Sequence, residues 1–155
     1  MEEKSPHTSW YAIYNPTSGG GLKQKHIKSI LSYLELYQIP FKFITTAYSH
    51  HEEELVQKAL QEGYLNFICI GGDGTIHHMI NGIMKQQYVP ANQVKLAVIP
   101  TGTGNDWVKN YNIPIDIKKS IALICNNKTI SQDIGKITML DVNKQVFFYN
   151  AAGIG

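Results

Sequence analysis

Short apolar runs alternate with helical apolar spacing along most of the chain. Runs rich in β-branched and aromatic residues predict strands at residues 10–14, 41–45, 67–70 and 94–99. Between them, apolar residues recur three and four positions apart, which predicts amphipathic helices. Strands that alternate with helices favour a parallel sheet covered on both faces. The pattern therefore predicts an α/β fold, a Rossmann-like domain of three layers built on a parallel sheet.

Local signals predict where several helices begin and end. Ser49 followed by Glu52 has capping-box spacing, so a helix is expected to begin there. Gly63 is placed to end the same helix, and Asp116 is placed to cap a later one. We expect apolar residues on the buried faces of the first predicted helix and of the two helices that these signals mark. They are Ile27, Ile30, Leu31, Leu34, Leu55, Val56, Ala59, Leu60, Ile117, Ile121, Ile124 and Cys125.

The last part of the chain has a different pattern. Residues 129–133 and 145–149 predict two strands with no helix between them. We therefore expect an α/β domain at residues 1–127, followed at residues 128–155 by the first strands of a truncated, β-rich second domain. The apolar and glycine residues at 151–155 are typical of a cut chain. Unpaired strand edges invite association, so a homodimer formed through these strands stays open.

Three glycines and one acid follow the third predicted strand, in Gly71-Gly72-Asp73-Gly74-Thr75, and a helix is predicted directly after them. Glycine lets a ligand approach the backbone, and the free N–H groups of a helix N-terminus favour phosphate. An acid in the same place would repel phosphate unless a divalent cation bridges the two, or unless the acid handles a proton or a hydroxyl. The motif therefore predicts a site for nucleotide phosphate with magnesium.

Two further glycine loops follow other predicted strands, at residues 15–21 and 102–106. Because ligands of parallel sheets bind at the carboxyl ends of the strands, we expect the three loops to converge. Neither common nucleotide signature is present. The glycines at 19–21 lack the spacing and the Lys-Ser/Thr pair of a Walker A loop, and His77 stands where the dinucleotide fingerprint needs its third glycine.

The composition excludes several classes of protein. The 14 basic residues nearly balance the 12 acidic ones, so nothing indicates a nucleic-acid partner. No apolar run approaches the roughly 20 residues needed to span a bilayer, and the charged start lacks the apolar segment of a signal peptide. Two cysteines, Cys69 and Cys125, fit reduced core thiols in a cytoplasmic protein.

Two pairs of adjacent histidines occur at 50–51 and 77–78. Adjacent residues point in different directions on a helix, and no cysteine or carboxylate spacing completes a zinc site around them. We interpret them as solvated histidines.

Four motifs together resemble the diacylglycerol kinase catalytic domain family, which includes bacterial lipid kinases and sphingosine kinases. They are Asn15-Pro16-Thr17-Ser18-Gly19, the motif at 71–75, Asn81-Gly82 and Gly102-Thr103-Gly104-Asn105-Asp106, and residues 133–135 and 147–155 resemble the family's entry into its second domain. The motif at 71–75 alone also occurs in NAD kinases and phosphofructokinases, whose nucleotide domain has the same predicted architecture. The order and spacing of all four motifs make the resemblance specific.

The resemblance implies an ATP-dependent lipid kinase that transfers the γ-phosphate of ATP to a hydroxyl of diacylglycerol or a related lipid alcohol, with Mg²⁺ as cofactor. Its partners would be ATP and a lipid substrate at a membrane surface. A cytoplasmic location follows, with peripheral contact to the inner membrane face left open. By the same resemblance Asp73 would be the catalytic acid and a magnesium ligand. The residues implied at the nucleotide are Asn15, Pro16, Thr17, Ser18, Gly19, Thr46, Gly71, Gly72, Asp73, Gly74, Thr75, His77, Gly102 and Thr103.

Two departures from the family pattern qualify this expectation. The family carries a glutamate where His78 stands, so its carboxylate is missing here. The family's second domain, which supplies a further acid expected to act as the base on the acceptor hydroxyl, is not covered by these residues. We therefore expect the 155 residues to be weakly active or inactive by themselves. Two other functions stay open, a soluble-substrate kinase of the NAD kinase or phosphofructokinase type and a nucleotide-binding module without catalysis.

Overall fold

A computed structural model describes residues 7–20 and 24–150. The helices and strands in chain order are β1 (His7–Tyr14), α1 (Gln24–Leu36), β2 (Phe41–Thr45), α2 (His51–Gln61), β3 (Tyr64–Gly71), α3 (Asp73–Lys85), β4 (Lys95–Pro100), α4 (Asp106–Asn110), α5 (Ile117–Cys125), β5 (Gly135–Met139) and β6 (Lys144–Phe148). Residue 21 of the first glycine loop and residues 151–155 lie outside the described part of the chain.

Four strands form one parallel sheet in the order β2-β1-β3-β4. Each of the three strand pairs is parallel, and the central strands β1 and β3 are bonded on both edges. The connections between neighbours pass through helices, as parallel pairing requires. This confirms the predicted α/β architecture with a parallel sheet.

The sheet is covered on both faces, and β3 shows why. Phe67 and Cys69 point into a core formed with α2, α3 and α4, whereas Ile68 and Ile70 point into a second core formed with α1 and α5. All four side chains are fully buried. A strand buried on both faces needs a continuous apolar run, which is the pattern that residues 67–70 carry.

Most of the helix predictions are confirmed. The apolar stripes of α2 and α3 are buried against the sheet, and Gly63 follows α2 with a φ of 97°. Asp116 caps α5, since its side chain accepts a hydrogen bond from the backbone N–H of Lys119 at 2.8 Å. Cys125 was expected in the core but is exposed, because it is the last residue of α5.

The capping box predicted at the start of α2 is wrong. The helix begins at His51, and His50 precedes it in a left-handed conformation with φ 66° and no side-chain cap. Glu52, which was expected to turn back toward Ser49, accepts a hydrogen bond from Asn15 on the other side of the site. A tertiary partner therefore replaces the local one.

The first predicted strand of the tail is also wrong. Residues 129–133 form no strand, and Ile130 is 71% exposed because no neighbouring strand pairs with this segment. The strand begins instead at Gly135 and pairs antiparallel with β6. A β-carbon on Gly135 would lie 2.2 Å from the ring of Phe148, so any larger residue there would displace that ring. The predicted second strand is confirmed as β6.

Phe147 of β6 is buried and packs into the same core as α2 and α3. The hairpin β5–β6 is thus attached to the α/β sheet through one face of α3. The expected domain division at residue 127 stays a prediction. Within the described ranges, no helix has both the length and the apolar character that crossing a bilayer requires.

Candidate active site

Three loops meet at the carboxyl ends of β1, β3 and β4. The hydrogen bonds between the strands continue into the loops. The N–H of Asn15 donates to the carbonyl of Ile70 at 3.2 Å, and the N–H of Thr101 donates to the carbonyl of Gly71 at 2.9 Å. Between the loops and the start of α2 lies a cavity of about 600 Å³, a size typical of small-molecule sites. Its lining residues are Asn15, Pro16, Thr17, Ser18, Gly19, Thr46, Ala47, Tyr48, Ser49, His50, Glu52, Gly72, Asp73, Gly74, Thr75, His78, Gly102, Thr103 and Gly104.

The loops can meet because side chains are absent where they touch. A β-carbon on Gly102 would lie 2.7 Å from the α-carbon of Gly72, and one on Gly19 would lie 2.2 Å from the carbonyl oxygen of Thr101. Gly19 also has a φ of 63°, a conformation that other residues rarely adopt. The predicted convergence of the three loops is therefore seen in the described residues, and backbone packs directly against backbone.

The N-terminus of α3 opens onto the cavity. Gly72 is its N-cap and offers no side chain to the first-turn N–H groups, which lack acceptors within the helix. Gly74 is exposed, and a β-carbon there would have no protein atom within 4 Å. Thr75 is buried, and its side chain packs over Gly71. Free N–H donors and the helix dipole make this end of α3 suitable for an anion.

Asp73 joins two of the loops. Its carboxylate accepts hydrogen bonds from the backbone N–H groups of Asp106 at 2.9 Å and Trp107 at 3.2 Å, which begin α4. The neighbouring Asn105 has a φ of 52° and donates to the carbonyl of Gly102 at 2.6 Å. The acid therefore holds the third loop against the second, and each of its oxygens keeps capacity for a further donor or a cation.

A hydrogen-bonded ring connects Asp73 with the end of β6. The Tyr149 hydroxyl donates to the carbonyl of Asp73 at 2.9 Å, and the Tyr149 carbonyl accepts from Gln132 Nε2 at 3.3 Å. Gln132 Oε1 accepts from Trp107 Nε1 at 2.9 Å, and the Trp107 N–H returns to Asp73. Burial, followed by the charge of Asp73, raises the pKa of the Tyr149 hydroxyl, which keeps it protonated and able to donate.

The first loop is tied to α2 through Asn15. Its side-chain Nδ2 donates to Glu52 Oε1 at 2.9 Å, while its Oδ1 accepts from the N–H of Thr17 at 2.9 Å and from Thr17 Oγ1 at 2.7 Å. Glu52 is only 1% exposed. Thr46 completes this side of the cavity, just beyond β2, and its N–H donates to Tyr14 at 2.9 Å.

The two histidines of α3 lie on different sides of the helix. His78 lines the cavity, stacks on His50 with ring centres 4.1 Å apart, and places Nδ1 3.4 Å from Glu53 Oε1. His77, predicted at the nucleotide, does not line the cavity and lies beside Asn81, one helical turn further on. Burial lowers the pKa of His77. One residue along a helix rotates the side chain by about 100°, so the neighbouring histidine takes the cavity position.

The other predicted site residues line the cavity, except Gly71, which is buried beneath it. Seven lining residues were not predicted: Ala47, Tyr48, Ser49, His50, Glu52, His78 and Gly104. Most of them belong to the turn that leads into α2. That turn carries no glycine motif, and only its position directly after the second strand could have indicated it.

Few charges face the cavity. All 14 basic residues of the sequence are lysines, and no lysine from the described ranges lines it, so the cationic candidates in this part of the wall are His50 and His78. The described residues also contain no group of three or more histidines, cysteines or acids placed to hold a metal. Magnesium is commonly held by one or two carboxylates together with substrate phosphates, and Asp73 with a bound polyphosphate fits that requirement.

The profile of the diacylglycerol kinase catalytic domain matches residues 9–137. Among similar proteins, a diacylglycerol kinase of Staphylococcus carnosus is 35% identical over 145 residues, which cover 91% of this chain and 43% of that protein. A diacylglycerol kinase of Staphylococcus epidermidis is 36% identical over 141 residues, which cover 91% of this chain and 42% of that protein. The chain thus spans less than half the length of these relatives.

The fold is similar to that of solved structures from Bacillus anthracis. A crystal structure described as a diacylglycerol kinase superposes with a TM-score of 0.66 at 23% identity, covering 86% of this chain and 43% of that one. A second, described as a putative diacylglycerol kinase, gives a TM-score of 0.67 at 23% identity, covering 84% of this chain and 44% of that one. At this identity the likeness concerns the fold alone.

Proposed function

The chain belongs to the diacylglycerol kinase catalytic domain family, and from this premise we propose that it forms the nucleotide-binding part of an ATP-dependent lipid kinase. The observation that carries the proposal is the cavity at the carboxyl ends of three parallel strands, where three glycine loops and an open helix N-terminus meet. Such an arrangement suits the phosphates of a nucleotide.

The proposal gives each side of the cavity a role. The first-turn N–H groups of α3 and the backbone of the glycine loops would hold the phosphates, while Thr46 and the turn before α2 would face the rest of the nucleotide. Because the carboxylate of Asp73 holds the third loop against the second, the acid would also bring N–H groups of these two loops to the same phosphate. Phosphoryl transfer depends mainly on such positioning and on charge neutralisation.

Magnesium would be held between Asp73 and the phosphate oxygens. When bound, it would neutralise charge that develops on the transferred phosphoryl group. The need for it is supported by the scarcity of cationic side chains in the described wall of the cavity, where an acid would otherwise repel a polyphosphate. The remaining acceptor capacity of Asp73 also suits a hydroxyl proton, so both roles expected for this acid stay within the proposal.

The acceptor is proposed to be diacylglycerol or a related lipid alcohol, as the names of the relatives suggest. A lipid acceptor implies work at a membrane surface, with the protein at the inner face of the membrane. The second domain, the acid that it would contribute and any homodimer formed through the hairpin strands remain predictions. Since the chain covers 43% of one relative, we propose that it transfers phosphate weakly or not at all without the remainder.

Calorimetric titration of the chain with ATP, with and without MgCl₂, tests the nucleotide site. We expect binding that magnesium strengthens, and an absence of binding at millimolar ATP with magnesium would contradict the proposal. An assay with labelled ATP and diacylglycerol in mixed micelles tests the second part. Robust turnover by these residues alone would overturn the predicted inactivity.

One alternative is supported by a specific observation. A nucleotide-binding module without catalysis would fit the histidine at position 78 and the absence of lysine from the described wall. ATP binding by a protein that also contains the part of the relatives' length that this chain does not cover, without transfer to any lipid, would favour that alternative. Transfer to a soluble alcohol instead would favour a kinase of the NAD kinase or phosphofructokinase type.

A further inference from the structure

Glu52 is a buried acid in the wall of the candidate site. It is the second residue of α2 and is 1% exposed. One carboxylate oxygen, Oε1, accepts the hydrogen bond from Asn15 Nδ2 at 2.9 Å. The other, Oε2, is buried and has no hydrogen-bond partner among the described residues.

Stability alone gives little reason for an acid at this position. A buried carboxylate oxygen without a partner carries an uncompensated desolvation cost. The N-terminus of α2 attracts negative charge, but Glu53 and Glu54 already supply it in the same helical turn. An apolar side chain would therefore fill the same space at lower cost, so the acid needs another explanation.

The acid at this position can be explained by its effect on the Asn15 side chain, whose carboxamide it orients. The two ends of an asparagine side chain have nearly the same shape but opposite hydrogen-bonding roles. Oε1 of Glu52 accepts this hydrogen bond, so the NH₂ group of Asn15 faces α2. The carbonyl oxygen of Asn15 must then face Thr17, where it receives both the backbone N–H and the hydroxyl.

The orientation matters because few side-chain contacts hold the first loop. Pro16, Thr17 and Gly19 are exposed, so burial of side chains does not fix their conformation, and the backbone contact of Gly19 with Thr101 holds only the far end of the loop. The Asn15 carboxamide thus supplies a large share of the contacts that shape the loop, and Glu52 decides which end of that carboxamide does so. The contact spans 37 positions of sequence and joins the first loop to α2.

We propose that Glu52 is a positioning residue of the nucleotide site, which holds the loop from Asn15 to Gly19 in its binding conformation by orienting the Asn15 carboxamide. The proposal rests on the proposed function for the identity of the ligand. The orientation itself does not depend on that identity, since it can be measured without any ligand.

The test compares Glu52→Ala, Glu52→Gln, Asn15→Ala and the double alanine variant, with Glu35→Ala on the exposed face of α1 as the matched control. The first measurement is amide hydrogen exchange at Thr17 without nucleotide. Glu52→Ala is expected to accelerate it, whereas Glu52→Gln retains an acceptor for Asn15 and preserves protection. The second measurement is ATP affinity. Glu52→Ala is expected to lower it about tenfold, which corresponds to the loss of one hydrogen bond, whereas Glu52→Gln should stay within about threefold of the unaltered chain.

If Glu52 acts through Asn15, the double variant should bind ATP no more weakly than Asn15→Ala. Full ATP affinity and unchanged Thr17 exchange in Glu52→Ala would overturn the proposal. If the unaltered chain binds no ATP, the proposed function fails, and the exchange at Thr17 still decides whether Glu52 positions the loop. Thermal melts of every variant separate these effects from loss of folding, which Glu52→Gln is expected to avoid.

Discussion

The side-chain amide of Asn81 forms two hydrogen bonds with the backbone of Phe147. Asn81 Oδ1 accepts from the Phe147 N–H at 3.0 Å, and Asn81 Nδ2 donates to the Phe147 carbonyl at 2.9 Å. The asparagine is 1% exposed and lies in the middle of α3, 66 positions before its partner. It therefore pairs with β6 as a neighbouring strand would, and attaches the hairpin to the helix that opens the candidate site.

Replacing Asn81 by alanine is expected to lower the free energy of unfolding by about 3 kcal/mol, since both backbone groups of Phe147 would remain buried without partners. Urea denaturation measures the change. Asn92→Ala, at an exposed position without a side-chain hydrogen bond among the described residues, should stay within about 0.5 kcal/mol of the unaltered chain. Equal stability of the two variants would show that the Asn81 contact contributes nothing.

Two glycines of the site should respond to alanine with opposite changes in stability. In Gly102→Ala the new methyl would meet the α-carbon of Gly72 at 2.7 Å, and we expect a loss of about 1–3 kcal/mol from the forced separation of the loops. In Gly74→Ala the methyl has free space, and a helical position gains up to about 1 kcal/mol. ATP affinity should fall in both, because the Gly74 methyl would stand where the phosphates approach.

Melting temperatures and ATP titrations of the two glycine variants test this prediction together. A Gly74→Ala variant that is more stable and binds ATP as well as the unaltered chain would place the phosphates elsewhere. A Gly102→Ala variant with unchanged stability would show that the loops are not in contact.

Asp73→Asn should separate loop positioning from catalysis. The carboxamide can accept only one of the two backbone N–H groups that the carboxylate accepts, so the unfolding free energy should fall by about 1–2 kcal/mol while the fold is retained. In a protein with the complete catalytic apparatus, phosphoryl transfer should fall at least about 100-fold. Labelled-ATP turnover and circular dichroism of the same sample measure both effects. Near-normal turnover would contradict the assigned role.

The pair of Glu53 with Lys85 predicts a pH dependence of stability. Burial would raise the pKa of the Glu53 carboxyl, but the Lys85 ammonium at 2.8 Å and His78 hold that pKa below its ordinary value. A depressed pKa in the folded state stabilises the fold above the ordinary pKa of about 4.5, and this contribution disappears as the pH falls through the depressed value. For a partly exposed pair we expect about 0.5 kcal/mol.

Urea midpoints of Glu53→Gln and the unaltered chain should therefore differ at pH 7 and coincide near pH 3. Exposed Glu35→Gln serves as the control, with no difference expected at either pH. A gap between Glu53→Gln and the unaltered chain that widens in acid would reverse the sign of the argument.

The parts of the fold that sequence predicts well are those specified by local burial. Residues 67–70 were predicted as a strand and lie in β3, because their continuous apolar run is buried on both faces of the sheet. Residues 129–133 were predicted as a strand and form none, because a strand needs a partner and the pairing partner of β6 starts at Gly135. The residue pattern shows only that a segment could form a strand, whereas the presence of a neighbouring strand to pair with decides whether it does.

The site divides in the same way. Its glycine loops could be recognised from the sequence because the close approach of Gly72 to Gly102 excludes side chains, so glycines stand at these positions. Glu52 could not be recognised in this way, because its proposed positioning role depends on contact with Asn15. In sequence, the same acid also fits the capping-box spacing with Ser49. His78 was missed for a geometric reason, since a choice between adjacent helical residues requires the rotation of the helix about its axis.

The ring through Tyr149 has a consequence for the smallest piece of this chain that can fold alone. A cut after residue 127 follows the change from helices to strands, yet it would remove both the phenol that binds the Asp73 carbonyl and the backbone that occupies Asn81. The hairpin is therefore an integral part of the scaffold around the glycine motif. We expect the minimal autonomous unit to extend at least through Tyr149.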